Sequence, residues 1–278
     1  MEASTQTTVS ALHTQLRWLV SDSAAIASRS LAHIRQTPEK LLDVTLQPLM
    51  FVLLFSFLFG GAIHVAGGSY REYVVGGILI QTIFFGIFGP ASAVATDLKE
   101  GVLERFRSLP MSRPAFLFGH LGAAFAAMMV ALVLMTGSGL VVGWRIDAGV
   151  ASAVAGYGLL LLLVTVALWL GMLVGIAARS PDAVTGLAFV VLFPVTFVSS
   201  VFVGIGTMPD GIRQFAEWNP ISAMAAGVRT LFGNPTAVPD HAVWPLAHPV
   251  LASVIWSVII LAVVIPVTMR LYRKRTAG

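Results

Sequence analysis

The feature that most constrains this chain is a series of long runs without a single Asp, Glu, Lys or Arg. A helix needs about 20 predominantly apolar residues to cross a bilayer, and these runs reach that length. Composition agrees, because only 11% of the 278 residues are charged, and soluble domains carry about 25%. The sequence therefore predicts an all-α integral membrane protein.

Six uncharged runs are candidate transmembrane helices. They cover residues 44–66, 73–96, 114–143, 150–178, 183–206 and 246–269. Each is long enough to span a bilayer as a helix, with some tilt where it exceeds the minimum. We therefore expect residues 41–278 to form one transmembrane domain of six spans.

Residues 1–40 are polar and are expected to form a cytoplasmic tail. Within the tail, residues 11–36 place apolar side chains at roughly helical spacing, which favours a helix lying in the membrane interface. The alternative is a soluble tail, because Ser is frequent there. An early apolar core with a cleavage site is missing, so we expect the first span to direct membrane insertion.

The distribution of Lys and Arg predicts the orientation. Six spans put both termini on one side, and thirteen of the seventeen Lys and Arg fall in the tails and loops of that side. Because cytoplasmic loops carry an excess of Lys and Arg, we expect a multi-pass cell-membrane protein with both termini in the cytoplasm. The basic residues form no single patch, so we expect no nucleic-acid partner.

Motifs for catalysis are missing from the sequence. It contains no GxxxxGK[ST] phosphate loop, no HExxH zinc motif and no cysteine. His241 and His248 have no third ligand nearby, so we expect loop histidines and no metal site. All thirteen acidic residues lie in tails, loops or span ends, whereas ion-coupled transporters use ionisable groups inside their spans. We expect no enzyme activity or cofactor on this chain, and energy that enters through a cytoplasmic contact.

The predicted site of that contact is the loop between the second and third spans, residues 97–114. Its sequence, DLKEGVLERFRSLPMSRP, interleaves charged and apolar residues. A short amphipathic helix there would press an apolar face onto a partner protein and surround it with ion pairs. Gly101 and Pro110 interrupt the segment. The alternative is a solvated charge run without a partner.

The connection between the fifth and sixth spans, residues 207–240, is also unusual. Residues 212–233 are too short and too charged for two spans, and too apolar for a water-exposed loop. A re-entrant pair of short helices broken at Asn219 and Pro220 fits, since broken backbone is tolerated at membrane depth when protein or water surrounds it. The alternative is an amphipathic helix on the outer surface.

Candidate residues for a translocation pathway lie on the second and fifth spans at helical spacing. They are Gln81, Phe84, Phe85 and Phe88, and Phe193, Phe197 and Ser200. An aromatic wall with a few polar groups suits a flat or lipid-like amphiphile. For each Phe, packing between helices or contact with lipid is the alternative. Pro194 is expected to kink the fifth span.

Three segments of the sequence resemble the type-2 ABC transporter permeases, specifically the daunorubicin-resistance exporter permeases. The segments are LLDVTLQPLMFVLLFSFLFGGA at 41–62, KEGVLERFRSLPMSR at 99–113 and WNPISAMAAGVRTLF at 218–232. Their order and spacing also agree. The similarity runs over nearly the whole chain and is weakest in the first twenty residues.

This resemblance implies a six-span fold with an amino-terminal interfacial helix, a cytoplasmic coupling helix and outer re-entrant helices. It implies a separate ATPase subunit, which holds ATP and Mg, and a second membrane subunit, identical or homologous. The coupling role is carried to Asp97, Lys99, Glu100, Gly101, Glu104, Arg105, Phe106, Arg107 and Pro110. The outer gate is carried to Trp218, Asn219, Pro220 and Arg229. A second, smaller ATPase contact is expected at residues 179–182.

The expected function is that of the membrane-spanning subunit of an ATP-driven exporter. By alternating access it would move hydrophobic or amphiphilic, drug-like compounds out of the cell. Export of a lipid, glycolipid or polysaccharide by the same fold is the main alternative. An ion-coupled drug antiporter is less favoured because no carboxylate falls in the middle of a span.

Overall fold

A computed structural model of the chain describes residues 46, 49–61, 63, 65, 67–102, 115–178, 180–238 and 241–277. Within these ranges the regular structure is helical, with one isolated bridge between Val65 and Gly68. The predicted all-α fold is therefore confirmed. The predicted interfacial helix at 11–36 lies outside the described residues, as do five predicted coupling residues: Glu104, Arg105, Phe106, Arg107 and Pro110.

Ten helices follow one another in the described ranges. They are α1 (Leu49–Phe59), α2 (Tyr70–Phe85), α3 (Phe88–Lys99), α4 (Ala115–Val142), α5 (Val150–Ala177), α6 (Pro181–Phe197), α7 (Asp210–Trp218), α8 (Pro220–Phe232), α9 (Trp244–Ala247) and α10 (Pro249–Ala277). Four segments among them are long and apolar enough to cross a membrane, namely α2 with α3, α4, α5 and α10. They coincide with the second, third, fourth and sixth predicted spans. Because α1 and α6 are shorter, the count of six spans stays a prediction.

Helix α6 is irregular in its centre. Residues Ala188–Leu192 are π-helical, and Pro194 follows in the last turn. Proline lacks the N–H that a regular helix donates, and π segments mark places where the ladder of hydrogen bonds is shifted. This distortion lies just before Pro194, and the kink expected at Pro194 stays a prediction. The fifth span was expected to reach residue 206, but the helix ends at Phe197 and the chain turns.

Helix α2 lies at the centre of the bundle. Its first turn has a capping box, in which the Ser69 hydroxyl and the Glu72 carboxylate each accept a main-chain N–H. Every residue from Tyr73 to Phe84 is buried. A helix that is apolar on all faces needs neighbours on all faces, and α1, α4, α5 and α8 provide them.

Helix α3 packs closely on α5 because two glycines of α5 face it. A Cβ at Gly171 would lie 2.6 Å from the Ile87 carbonyl oxygen, and a Cβ at Gly175 would lie 2.6 Å from the Ala91 carbonyl oxygen. Small residues four apart allow membrane helices to approach at short range. This contact fixes α3, and with it the start of the predicted coupling segment, against α5.

Helix α8 is short and almost wholly buried between α2, α5 and α10. It ends at Gly233, whose φ of +74° lies in the left-handed region that favours glycine. The Phe232 carbonyl then accepts hydrogen bonds from the N–H groups of Asp147 and Ala148, at 2.9 and 3.2 Å. The connection from α4 to α5 is thereby fastened to the carboxyl end of α8.

Several helices expose large apolar side chains on their outer faces. Examples are Phe57 and Leu58 on α1, Val133 and Val141 on α4, Phe189 and Val190 on α6, and Ile259 and Val263 on α10. Inside a bilayer such faces meet lipid or another membrane helix. The outer faces of this bundle therefore suit a membrane environment.

Candidate functional sites

Arg229, on α8, is a fully buried arginine, with 0% of its surface exposed. Its guanidinium donates three hydrogen bonds to main-chain carbonyls: Nε to Tyr73 at 2.8 Å, and Nη1 and Nη2 to Ser200 and Val201 at 2.9 Å each. A buried charge is costly unless polar groups surround it. Here the carbonyl dipoles of α2 and of the turn after α6 supply that environment.

Tyr73 adds a second form of compensation. The Arg229 Cζ atom lies 3.6 Å from the centroid of the Tyr73 ring, which is a cation–π contact. The Tyr73 hydroxyl donates to the Ser200 carbonyl, which also accepts from Arg229. No salt bridge among the described residues involves Arg229. Within the described residues, three main-chain carbonyls and the Tyr73 ring compensate the buried charge of Arg229, as a carboxylate does in a salt bridge.

Asn219 fastens the other end of α8. Its Oδ1 accepts the Ile221 N–H at 2.9 Å, which caps the helix. Its Nδ2 donates to the carbonyls of Val195 and Val198, at 2.7 Å each. Those two carbonyls lie at the end of α6, where the last carbonyls of a helix have no N–H partner within the helix. Asn219 therefore ties the amino end of α8 to the broken carboxyl end of α6.

We call Tyr73, Ser200, Val201, Asn219 and Arg229 the Arg229 clamp. Glycines of α2 make its close contacts sterically feasible. A Cβ at Gly77 would overlap the Val201 carbonyl oxygen, and a Cβ at Gly76 would lie 2.9 Å from Cγ of Arg229. The clamp thus joins three elements: α2, the turn after α6, and α8.

Three predicted site residues meet in the clamp, namely Asn219 and Arg229 of the outer gate and Ser200 of the pathway. Residues 210–232 form two helices that meet at Asn219 and Pro220, where the break was predicted. Trp218 is 59% exposed and stands apart from these contacts. Entry of the two helices into the membrane stays a prediction.

The predicted pathway residues fall into two groups. On α2, Gln81 and Phe84 are buried, with 4% and 5% of their surfaces exposed, and Oε1 of Gln81 has no hydrogen-bond partner among the described residues. Phe85 meets Phe88 edge-on at 5.8 Å across the break between α2 and α3. No ring pair in the described ranges links this group to the phenylalanines of α6.

The phenylalanines of α6 belong to a longer row of rings that continues onto α1. Successive centroids are 4.1 to 5.7 Å apart in the order Phe193, Phe197, Phe202, Phe55, with Phe51 and Phe59 flanking Phe55. We call these six residues the aromatic strip. Phe193 and Phe197 are partly exposed, so the strip presents ring faces at the surface of the bundle.

The described coupling residues cluster at the end of α3. Asp97 lies in its last turn, and Lys99 and Glu100 are exposed. Gly101 ends the helix with a φ of +68°, a conformation suited to glycine. The Asp97 carboxylate lies 3.1 Å from Nε2 of His120 on α4. Sequence reasoning singled out Asp97 and passed over His120.

Two further contributors were missed from the sequence, Tyr73 and the Gly76-Gly77 pair. Polar side chains and adjacent glycines inside an uncharged run are the signals that could have indicated them, since such residues in a span usually face other helices. His120 carries the same signal, because it is an ionisable residue within the third uncharged run.

Comparison with known families identifies the family of the chain. The family model described as ABC-2 type transporter matches residues 23–232. The chain belongs to the ABC-2 type transporter family. The resemblance noted in the sequence is thereby confirmed, and the matched range contains Asp97, His120 and the whole Arg229 clamp. The chain is accordingly an ABC transporter permease, the membrane subunit of such a system.

Individual relatives agree with this family. The permease is 32% identical to the daunorubicin resistance ABC transporter permease protein DrrB1 of Streptomyces coeruleorubidus, over 90% of this chain and 85% of the relative. It is 28% identical to the doxorubicin resistance ABC transporter permease protein DrrB of Mycobacterium tuberculosis, over 76% and 73% of the two chains. It is 23% identical to the inner membrane transport permease YadH of Escherichia coli, over 69% and 76%.

Proposed function

We propose that this permease exports hydrophobic or amphiphilic, drug-like compounds from the cell, driven by a separate ATPase subunit. The observation that carries the proposal is the 32% identity to a daunorubicin resistance permease over 90% of the chain. The apolar, partly exposed aromatic strip supports it, because a flat aromatic compound stacks on ring faces. Phe193 and Phe197 are the residues we assign to that contact.

The ATPase subunit is proposed to bind at the end of α3. The sequence has no phosphate loop of its own, so ATP and Mg belong to the ATPase. Lys99 and Glu100 are exposed there, next to the left-handed turn at Gly101 that leads into the rest of the coupling segment. A charged, exposed helix end of this kind suits ion pairing with a partner. Residues 179–182, of which the last two begin α6, would make a smaller contact.

A second membrane subunit, identical or homologous, is proposed to complete the transporter. Helices α1 and α6 are shorter than the other spans and expose large apolar side chains, including Phe57 and Phe189. The aromatic strip joins these same two helices. Pairing of two permeases along α1 and α6 would cover those faces and place two aromatic strips around one pathway.

Transport is proposed to follow alternating access between inward-open and outward-open states. ATP binding would draw the two ATPase subunits together, and α3 would carry that motion into the membrane domain. The Arg229 clamp would hold α8 and the end of α6 together as one gate element. A substrate can bias this cycle only if it binds one of the two states more tightly. We place both termini in the cytoplasm, in accord with the excess of Lys and Arg on that side.

The test is transport by the reconstituted complex. The permease is purified with the ABC ATPase whose gene lies nearest to its own and is placed in lipid vesicles. Daunorubicin fluorescence and ATP hydrolysis are then followed together. We expect ATP-dependent daunorubicin movement that needs both subunits. ATP hydrolysis without drug movement would contradict drug export and favour a lipid substrate, and failure of the two proteins to associate would contradict the proposed ATPase contact.

The aromatic strip has its own test within that assay. Phe193→Ala and Phe197→Ala should each weaken the apparent daunorubicin affinity several-fold, since a stacked aromatic contact is worth roughly 1 kcal/mol. Phe125→Ala is the matched control, because Phe125 is similarly exposed but lies on α4. Equal effects of all three substitutions would rule out a specific role for the strip.

A further inference from the structure

A carboxylate and an imidazole meet inside the bundle at the end of α3. Oδ2 of Asp97 lies 3.1 Å from Nε2 of His120, and the side chains are 15% and 5% exposed. A carboxylate can only accept, so Nε2 of His120 is the donor. The contact joins the last turn of α3 to the second turn of α4.

The His120 ring also rests on an aromatic neighbour. Phe116, one turn earlier on α4, meets it edge-on with centroids 4.6 Å apart. Phe116 in turn stacks on Tyr272 of α10, at 6.0 Å with the planes only 7° apart. We call Asp97, His120, Phe116 and Tyr272 the His120 cluster. It forms a continuous series of side-chain contacts from α3 through α4 to α10.

The cluster sits on an apolar core shared by four membrane helices. Val94 of α3, Leu117 of α4, Met172 and Ile176 of α5 pack with Phe116 and Tyr272. A carboxylate next to such a core requires a hydrogen-bonding partner, because burying a charge without one is costly. His120 meets that requirement from a different helix, so a displacement of the end of α3 either moves α4 with it or breaks the contact.

We propose that His120 is a positioning residue for energy coupling, which passes movement of the coupling segment from α3 to α4 and, through Phe116 and Tyr272, to α10. The proposal rests on the proposed ATPase contact at residues 97–114. Asp97 lies four residues before Gly101, where the chain turns out of α3. Of the four residues of the cluster, Asp97 is therefore the nearest along the chain to the rest of the coupling segment.

The mechanism differs from that of the glycine contact between α3 and α5. There the main chain of α3 lies directly against α5, and such packing moves as one body. The Asp97–His120 hydrogen bond is made by two side chains, which can separate and re-form by rotation about their χ angles. This hydrogen bond adds to the apolar packing that α3 shares with the third and sixth spans. In the proposed mechanism it is made in one state of the transporter and broken in the other.

The experiment measures daunorubicin molecules moved per ATP hydrolysed in vesicles that hold the full permease and its ATPase. His120→Phe keeps a ring of similar size against Phe116 but removes the N–H. We expect about a tenfold lower ratio, with ATPase binding and basal hydrolysis unchanged. His120→Gln retains a donor near the position of Nε2 and should restore most of the ratio. His248→Phe is the matched control, since His248 is an exposed histidine at the start of α10.

A double substitution separates coupling from stability. If the contact carries the effect, Asp97→Ala combined with His120→Phe should lower the ratio no further than the stronger single substitution. A purely structural role would lower the unfolding temperature and complex yield while the ratio stays at the wild-type value. If His120→Phe does not accumulate as folded protein, the comparison of His120→Asn with His120→Gln replaces it, because Asn is too short to reach Asp97 from the same backbone position.

The experiment distinguishes failure of the role proposed for His120 from failure of the proposed export function. A wild-type ratio in folded His120→Phe, or in folded His120→Asn, overturns the role of His120 and leaves the proposed export function intact. Failure of the wild-type complex to move daunorubicin overturns the proposed function itself. The ATPase-binding and hydrolysis measurements distinguish these two cases.

Discussion

The Arg229 clamp and the His120 cluster lie near opposite ends of the span formed by α2 and α3, and each holds a charged group away from water. In the clamp, Arg229 donates to three main-chain carbonyls. In the cluster, the Asp97 carboxylate accepts from the side chain of His120. The orientation of a main-chain carbonyl at a helix end is fixed by the orientation of the helix. The orientation of a side chain changes by rotation about its χ angles.

This difference assigns different mechanical roles to the two ends. Because the clamp joins α2, α8 and the end of α6 through several simultaneous bonds, these elements should move as one unit. The His120 cluster joins α3 to α4 through a hydrogen bond between two side chains, which can rotate, so relative movement is easier there. A transporter driven from one end needs both properties, since the driven end must change contacts and the other end must respond as a whole.

The largest expected effect comes from removing the centre of the clamp. Arg229→Met removes all three hydrogen bonds that the guanidinium donates, and a hydrogen bond that involves a charged group contributes about 1.5–3 kcal/mol. The Ser200 carbonyl keeps its hydrogen bond from the Tyr73 hydroxyl. We expect the free energy of unfolding to fall by at least about 3 kcal/mol, measured by thermal unfolding of the purified permease. Arg213→Met is the control, because Arg213 is 39% exposed and pairs with Asp210 on the surface. A similar loss of unfolding free energy in both variants would contradict the stabilising role of the Arg229 clamp.

An intermediate effect is expected from crowding the α3–α5 contact. Gly175→Ala inserts a Cβ against the Ala91 main chain, and such overpacking costs about 1–3 kcal/mol. Gly158→Ala lies in the same helix with nothing within 4 Å of the new Cβ, so it should be neutral or stabilising by up to about 1 kcal/mol, because alanine has the higher helix propensity. Unfolding of both variants measures the difference, and a loss for Gly158→Ala as large as for Gly175→Ala would contradict close packing of α3.

The smallest expected effect is at the turn that ends α3. Gly101 has a φ of +68°, which costs an alanine about 1 kcal/mol. Gly101→Ala should therefore lower stability by about that amount, while Gly89→Ala, at an open position within α3, should not. Both variants are also compared in the transport assay. Gly101→Ala, with its strained turn, should lower the amount of daunorubicin moved per ATP, and Gly89→Ala should not. Equal behaviour of the two variants would argue against the left-handed turn.

Much of this architecture follows from sequence patterns. Uncharged runs located the helices because the bilayer requires about 20 apolar residues, and four of the six predicted spans are membrane-length helices. Asn219 before Pro220 predicted the break between α7 and α8. Asn is a favoured N-cap residue, and Pro is favoured at the first position of a helix. Gly101, which was expected to interrupt the coupling segment, lies just after the end of α3.

Other features depend on contacts that no local pattern contains. Two of the three acceptors of Arg229, the Ser200 and Val201 carbonyls, are available because α6 ends at Phe197. An apolar sequence does not reveal where that helix ends. Gln81 and Phe84 are buried in the centre of the bundle, yet apolar residues fill every face of a membrane helix, so periodicity does not show which face is inside. The role proposed for His120 depends on its contact with Asp97, a residue on another helix.

The most direct test of the account asks where the ATPase acts. The chain has no cysteine, so Lys99→Cys at the end of α3 and Asp147→Cys between α4 and α5 each give a single thiol. A membrane-impermeant maleimide is applied to vesicles of known orientation, with and without the ATPase subunit. The account predicts that Lys99→Cys reacts only from the cytoplasmic side and is protected by the ATPase, and that Asp147→Cys reacts only from the opposite side and is unprotected. Reaction of both thiols from one side, or no protection of Lys99→Cys, would contradict it.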